Sequence, residues 1–208
     1  MTVSGAGWRL EQAGPERAGE LAAIHARALP GDFLPQLGTG FLEHTYYPAA
    51  LESPHGVHIM AVTGSHPIGF VCVAHDADRF TGGVIRSRLV QVAWSACRAV
   101  LRRPSRVRMM FEMAWSVVTG RPDAVPGEIV FIAVDPGHQG RGIGSALVEA
   151  AVRYLGTRRV SACRTKTLAT NHGGIRMYER FGWHVRDRFR VIGRDYVTIV
   201  SPAIPSSR

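Results

Sequence analysis

The stretch VDPGHQGRGIGSAL, residues 134–147, places four glycines within eight positions, between an apolar run and an amphipathic one. Glycine is favoured where the backbone takes a positive φ or approaches another group closely. A strand that passes through such a loop into a helix directs free backbone N–H groups and the positive end of the helix dipole towards one point. The stretch therefore predicts a strand–loop–helix unit that binds a phosphate group.

Two well-known phosphate loops do not fit this stretch. A P-loop requires G-x-x-x-x-G-K-[ST], but the position after Gly142 that should hold lysine is Ile143. A dinucleotide fingerprint requires G-x-G-x-x-G, and counted from Gly140 its third glycine falls on Ser145. The spacing therefore argues against both of these nucleotide-binding classes.

A third pattern fits each position. Gln139-x-x-Gly142-x-Gly144 resembles the [QR]-x-x-G-x-[GA] signature of the GNAT acetyltransferase superfamily, whose loop binds the pyrophosphate of coenzyme A. Upstream, EIVFIAVDP resembles the central strand of that superfamily, and downstream NHGGIRMYERFGW resembles its N-x(6)-Y-x-x-x-G-[FW] segment. Residues 127–185 thus resemble a complete acyl-CoA-binding half, while PGDFLPQLGTGFL at residues 30–42 is similar to a poorly characterised bacterial branch.

The order of apolar and turn-forming segments predicts an α/β (α+β) chain with one domain over residues 1–208. The resemblance implies the GNAT fold, a mixed central sheet of about seven strands flanked by helices. Residues 79–121 depart from the family pattern, because helical spacing and a break at Pro104 predict an inserted helical pair between the third and fourth strands.

The inserted segment is strongly basic. It holds nine arginines and a single acid, Glu112, in a chain whose formal net charge is +9. Two interpretations stay open: a packing element or homodimer contact whose arginines are solvated, and a basic lid that attracts an acidic substrate. Nucleic-acid binding is disfavoured, because the arginines lack an interleaved aromatic platform on which bases could stack.

The resemblance implies acetyl-CoA as cosubstrate and assigns residues to it. The backbone of Ile132, Ala133 and Val134 would pair with the pantetheine arm, and the Val134 N–H would face the thioester oxygen. Asn171 would cap the following helix or bond to the pantetheine. The pyrophosphate would be bound by the backbone N–H groups of Gln139, Gly140, Arg141, Gly142, Ile143, Gly144 and Ser145.

Two side chains are candidates for proton transfer. Tyr178 occupies the position of the family tyrosine that protonates the leaving thiolate. Glu128 matches the catalytic glutamate of the histone-acetylating branch and would act as a base through water. Strand alternation places it on one face with Val130 and Ile132, an apolar setting that would raise its pKa. A packing tyrosine and an exposed strand-end glutamate are the simpler alternatives.

The acceptor is less clearly indicated. Asp32 and Phe33 lie in the segment that walls the acceptor pocket in this family, and Asp32 would pair with a cationic amine or cap a helix. We expect an N-acetyltransferase acting on a small-molecule amine such as an amino sugar, amino acid or polyamine. The alternatives are a peptide or carrier-protein amine, and a non-catalytic acyl-CoA-binding regulatory module.

Composition limits the other classes of function. A secretory leader and a membrane span are not expected, since no sufficiently long apolar run occurs without a turn signal. Three widely spaced cysteines predict a reducing, cytoplasmic location. Among nine histidines only His55 and His58 lie close together, so no metal site is expected.

Overall fold

The computed structural model describes residues 4–5, 7–87, 124–191 and 193–206. Their strands form one mixed sheet in the order β1-β2-β3-β4-β5-β6-β8-β7. Neighbouring strands are antiparallel except β5 and β6, which run parallel. The strands are β1 (Ser4–Gly5), β2 (Trp8–Gln12), β3 (Gly56–Thr63), β4 (His66–Ala74), β5 (Gly127–Val134), β6 (Cys163–Leu168), β7 (His184–Val191) and β8 (Arg194–Val200).

The longer helices pack on this sheet through apolar stripes. In the longest described helix, buried residues recur every four positions at Ile143, Leu147, Ala151 and Leu155. The helices are α1 (Ala18–Ala28), α2 (Phe33–Gln36), α3 (Thr39–Phe41), α4 (Tyr47–Leu51), α5 (Ala77–Ser87), α6 (Ile143–Thr157) and α7 (His172–Glu179), with a π-helical turn at Leu42–Tyr46 and 3-10 turns at Pro15–Arg17 and Pro136–His138. None of these described helices is long and apolar enough to cross a membrane.

The sheet separates two main hydrophobic cores. One lies under α6 and α7 and contains Ile129, Leu147 and Ile199. The other lies under α1 and α4 and contains Leu21 and Tyr47. Each face of the central strands β4 and β5 therefore packs against a different helical layer, which fixes the orientation of their side chains.

The centre of the sheet is forked. Strand β6 pairs with β5 only at Gly127↔Cys163, Glu128↔Arg164 and Ile129↔Thr165. Beyond these pairs β5 continues along β4 as far as Val134, whereas β6 continues along β8 as far as Leu168. In the described register, the β6-facing edge of β5 is unpaired over residues 130–134.

A β-bulge marks the start of this fork. Cys72 pairs with Phe131 and Val73 pairs with Ile129, so Val130 is the extra residue in β5. An extra residue reverses the alternation of the side chains that follow it. Val130 packs in a core with α4 and α5, while Ile132 packs in the core under α6.

The predicted fold is confirmed in its main features. Seven strands of five or more residues form the mixed sheet with flanking helices, and the two-residue β1 is an eighth. Strand β5 leads through the glycine loop into α6, as the sequence predicts. Of the inserted helical pair predicted over residues 79–121, residues 79–87 are helical in α5, and residues 88–121 lie outside the described residues.

Candidate active site

The glycine loop is held in the form that an anion site requires. Gly140 and Gly142 have φ values of 75° and 76°, the left-handed region that strongly favours glycine. A Cβ at either position would meet no atom within 4 Å, so the backbone conformation rather than space selects glycine. Gly142 is the N-cap of the 15-residue α6, so the free backbone N–H groups in the first turn of α6 point towards the loop.

Side chains of the loop stabilise its own backbone. Gln139 Nε2 donates to the carbonyl of Val134 at 3.1 Å, and Arg141 Nη2 donates to the carbonyl of Gly137 at 3.3 Å. A Cβ at Gly144 would lie 3.1 Å from the sulfur of Met177, so this glycine lets α6 approach α7. Ile143 is buried. The loop thus presents mainly backbone groups to a ligand.

The start of α7 is attached to β6 by the side chain of Asn171. The side chain of Asn171 caps α7 by accepting from the Gly174 N–H at 3.0 Å, and its amide donates to Thr167 Oγ1 at 2.9 Å. The predicted capping role is present in the structure. Because Thr167 belongs to β6, this bond also fixes the start of α7 on the strand that diverges from β5.

Tyr178 lies at the base of the fork. Its side chain is 2% exposed, packs against the Trp183 ring at 4.9 Å, and has a buried hydroxyl without a hydrogen bond of ordinary geometry to the described residues. Burial raises the pKa of the phenol well above 10, and the neighbouring Thr165 side chain offsets part of this. Thr165 Oγ1 itself donates to the carbonyl of Ile129 at 3.0 Å, where β5 and β6 part.

The expected apolar environment of Glu128 is wrong. Its Oε2 lies 2.9 Å from Arg164 Nε and 2.8 Å from Arg164 Nη2, and its Oε1 lies 3.8 Å from Lys166 Nζ. The parallel register brings Arg164 opposite Glu128, a neighbour that sequence alternation does not reveal. The predicted shared face with Ile132 is also wrong, because the bulge at Val130 turns Ile132 towards α6.

On the α1 side, Asp32 is the N-cap residue of α2, but its side chain makes no capping hydrogen bond to the part of the chain described. Its Oδ2 instead lies 3.8 Å from Nε2 of the fully buried His25. Phe33, the other residue predicted for the acceptor pocket, begins α2. His25 itself was not predicted from the sequence, although its position four residues after Leu21 places it on the apolar side of α1.

An ion pair connects α1 with the glycine loop. Arg27, at the end of α1, donates through Nε and Nη2 to Asp135 Oδ2 at 3.0 and 2.8 Å. Asp135 begins the glycine loop and accepts from the Gly137 N–H at 3.2 Å. The hydrogen bond from Arg27 lowers the pKa of Asp135 below its ordinary value, so the carboxylate is charged at neutral pH. The loop is therefore tied to the helix that carries His25.

Other predictions concern the surroundings of the site. Among the residues with described positions, no three His, Cys, Asp or Glu side chains are grouped as metal ligands would be. A groove of about 690 Å³ separates residues 49–55 from α5 and is lined by Arg79 and Arg86. This groove contains none of the residues predicted for the site, and the role of segment 79–121 stays a prediction.

Comparison with known proteins agrees with this geometry. Residues 113–183 match the model of the acetyltransferase (GNAT) family. Mycothiol acetyltransferase of Acidothermus cellulolyticus is 42% identical over 57 residues, which are 27% of this chain. The match spans only 17% of the length of that relative, so its activity as a whole protein does not transfer directly.

Solved structures extend the likeness in fold to nearly the whole chain. The ribosomal-protein-S18-alanine N-acetyltransferase from Escherichia coli has a TM-score of 0.59 at 14% identity, covering 97% of this chain and 96% of that one. PaiA N-acetyltransferase from Thermoplasma acidophilum, in complex with coenzyme A, has a TM-score of 0.57 at 11% identity, covering 94% and 98%. The family match thus covers residues 113–183, which include the glycine loop and Tyr178, and the likeness to these solved structures shows that the chain shares their fold.

Proposed function

We propose that this protein transfers an acetyl group from acetyl-CoA to the primary amine of a small molecule. The observation that carries the proposal is the position of the fork between β5 and β6. It opens next to the glycine loop at the start of α6 and has the buried hydroxyl of Tyr178 at its base. An extended thioester fits such a fork, with its diphosphate at the helix N-terminus.

Acetyl-CoA would be bound mainly by backbone groups. The unpaired edge at Ile132, Ala133 and Val134 offers N–H and C=O groups to the amides of the pantetheine arm, as an added strand would. The N–H of Val134 is our candidate for the donor that stabilises the oxyanion. The amides of residues 139–145 would bind the pyrophosphate, and Asn171 would face the pantetheine from the start of α7.

Tyr178 would supply the proton to the departing thiolate. Because burial raises its pKa, the phenol stays protonated throughout the physiological pH range. Its hydroxyl makes no hydrogen bond of ordinary geometry to the described residues, although the Thr165 side chain lies next to it, so its proton is available to a ligand sulfur. The C–N bond forms as the C–S bond breaks, and the proton lost by nitrogen balances the one gained by sulfur.

Glu128 would border the site on the acceptor face. Its carboxylate is engaged by Arg164 and Lys166, so as a base it would act through a water molecule and keep this ion pair. Asp32 and Phe33 would contact the acceptor amine. Among the similar proteins, one is named for mycothiol and another for a ribosomal-protein alanine, so a peptide amine is the alternative acceptor.

Release of free thiol from acetyl-CoA across a panel of amines tests the proposal. We expect amine-dependent release whose kcat falls about 100-fold in Tyr178→Phe, the size typical of lost general acid catalysis. Tyr154→Phe is the matched control, because that hydroxyl bonds to His75 at 2.9 Å and lies outside the site. Binding of acetyl-CoA without release for any amine would contradict a small-molecule acceptor, and an unchanged kcat in Tyr178→Phe would contradict its role.

A further inference from the structure

A buried histidine lies behind Asp32, which belongs to the segment predicted to line the acceptor pocket. The His25 side chain, on α1, has no exposed surface, and its Nδ1 forms a hydrogen bond of 2.7 Å with the hydroxyl of Tyr47. Tyr47 is also fully buried. The imidazole packs on the ring of Phe131 in β5, with centroids 4.7 Å apart. Its position is therefore fixed one residue beyond the bulge that opens the fork.

The second nitrogen of this imidazole faces Asp32. Nε2 is buried and has no hydrogen-bond partner in the described parts of the chain, although Asp32 Oδ2 lies 3.8 Å away. That separation is too long for a direct hydrogen bond and is closed by a small movement or one water molecule. The Asp32 side chain is 34% exposed, so Asp32, His25 and Tyr47 form a line from the solvent-accessible wall into the core.

We propose that His25 accepts, through Asp32, the proton that the acceptor ammonium must lose before attack. The inference rests on the proposed function and names a positioning pair, His25 and Tyr47, behind the carboxylate that contacts the amine. Asp32 takes the proton from R–NH3⁺ and passes it to Nε2. The free amine then attacks the thioester, and the imidazolium returns its proton to solvent by way of Asp32.

The surroundings favour this route. Tyr47 holds Nδ1, so a proton that arrives at Nε2 gives an imidazolium with a hydrogen-bond partner on one side and a carboxylate on the other. The rings that face His25 from β4 and β5 are the uncharged Phe70 and Phe131, and Tyr46 lies beyond, edge-on to Tyr47. In the described structure, Asp32 is thus the charged side chain that lies next to His25.

The test measures kcat and KM against pH for wild type, His25→Gln and Tyr47→Phe. We expect the wild-type kcat to fall at acid pH, because a protonated imidazole cannot accept the proton of the ammonium. We expect His25→Gln to lose about 100-fold in kcat together with this acid limb, as a lost proton acceptor does. Tyr47→Phe should lose about tenfold, and the KM for acetyl-CoA should stay unchanged in both.

His58→Gln is the matched control. His58 is another buried histidine of the same region, 5.9 Å from the Tyr47 ring, but no contact with Asp32 is recorded in the described structure. It should retain the wild-type pH profile. Should His25→Gln fail to fold, Asp32→Asn keeps the shape of a partly exposed side chain and should also lose the acid limb, with a raised KM for the amine.

The outcomes separate this inference from the proposed function. Acetyl transfer with an unchanged acid limb in both His25→Gln and Asp32→Asn overturns the relay and leaves the transferase intact. An acid limb that disappears equally in His58→Gln also overturns it, because the effect would then be general to buried histidines. A wild type that binds acetyl-CoA but acetylates no amine overturns both.

Discussion

The proposed donor side and the proposed acceptor side of the site are built from different atoms. On the donor side, the fork and the glycine loop present backbone N–H and C=O groups, and the positive φ angles of Gly140 and Gly142 fix their directions. On the acceptor side, the groups are side chains of residues 25, 32 and 47, which meet only because α1, α2 and α4 pack together. A site made of backbone groups requires particular residues at a fixed spacing, which can be recognised in the sequence. A site made of side chains from separate helices has no such local pattern.

The largest predicted difference between the two sides is the loss of folding stability at acid pH, which should come from the acceptor side. Burial lowers the pKa of His58, on the acceptor side, to about 3, whereas an unfolded histidine titrates near 6.5. The unfolded state alone binds this proton between those values, so stability is complete above pH 6.5 and falls as the pH drops. We expect the free energy of unfolding to fall by about 3 kcal/mol between pH 7.5 and 4.5 through this residue.

Urea unfolding at several pH values measures this loss. His58→Leu should remove the corresponding part of the pH dependence and should raise stability at neutral pH, because both ring nitrogens of His58 are buried without a hydrogen bond to the described chain. His66→Leu, at an exposed histidine, is the control and should keep the wild-type slope. An unaltered slope in His58→Leu would show that another group controls acid unfolding.

The second largest effect should come from Glu128, where the two sides meet. Glu128→Gln leaves Arg164, which is 5% exposed, with a neutral partner. Breaking a buried ion pair costs about 3–5 kcal/mol. We expect a smaller loss of about 2 kcal/mol in the free energy of unfolding, because the amide retains an acceptor oxygen and Asp78 lies 3.9 Å from Arg164.

Chemical denaturation and kcat together decide the role of Glu128. Glu149→Gln is the control, since it removes an exposed partner of Arg153 and should change stability by less than about 0.5 kcal/mol. A kcat that falls about 100-fold without loss of stability would identify Glu128 as the principal base, in place of the relay through Asp32 and His25, and not as a structural partner of Arg164.

This residue also shows how far the sequence predicts the site. The glycine loop, β5, α6 and the Asn171 cap could be predicted because each depends on local backbone requirements. The surroundings of Glu128 could not, because they depend on a bulge at Val130 and on the register with β6. His25 was missed for a related reason, since a histidine on an apolar helix face has no local feature that indicates its partner in α4.

A tenfold effect should distinguish the donor loop from an ordinary turn. Gly142→Ala places a Cβ at φ 76°, where strain costs about 1–2 kcal/mol, and relief of that strain turns the amides away from the phosphates. We expect acetyl-CoA to bind about tenfold more weakly, measured by calorimetry. Gly64→Ala carries similar strain at φ 59° in the turn between β3 and β4 and should leave binding unchanged. Equal losses in both variants would place the pyrophosphate elsewhere.

The smallest effect tests whether the two sides are coupled at all. Arg27→Gln removes the ion pair by which α1 holds Asp135 at the start of the glycine loop. An exposed pair contributes up to about 1 kcal/mol, so the KM for acetyl-CoA should rise about threefold, and less in high salt. The lowered pKa of Asp135 means that the wild-type contribution is complete above pH 4 and is lost only at more acid pH.

Arg190→Gln is the control for this coupling. It breaks a similar two-bond pair with Asp195, at 2.8 and 3.2 Å, on the hairpin of β7 and β8, away from the loop. An unchanged KM in Arg190→Gln with a raised KM in Arg27→Gln would mean that α1, which carries His25, also orders the pyrophosphate loop. Binding of acetyl-CoA at the loop would then be coupled to α1, the helix whose His25 is proposed to accept the proton of the acceptor amine. Equal KM values in both variants would mean that the two sides act independently and share only the sheet.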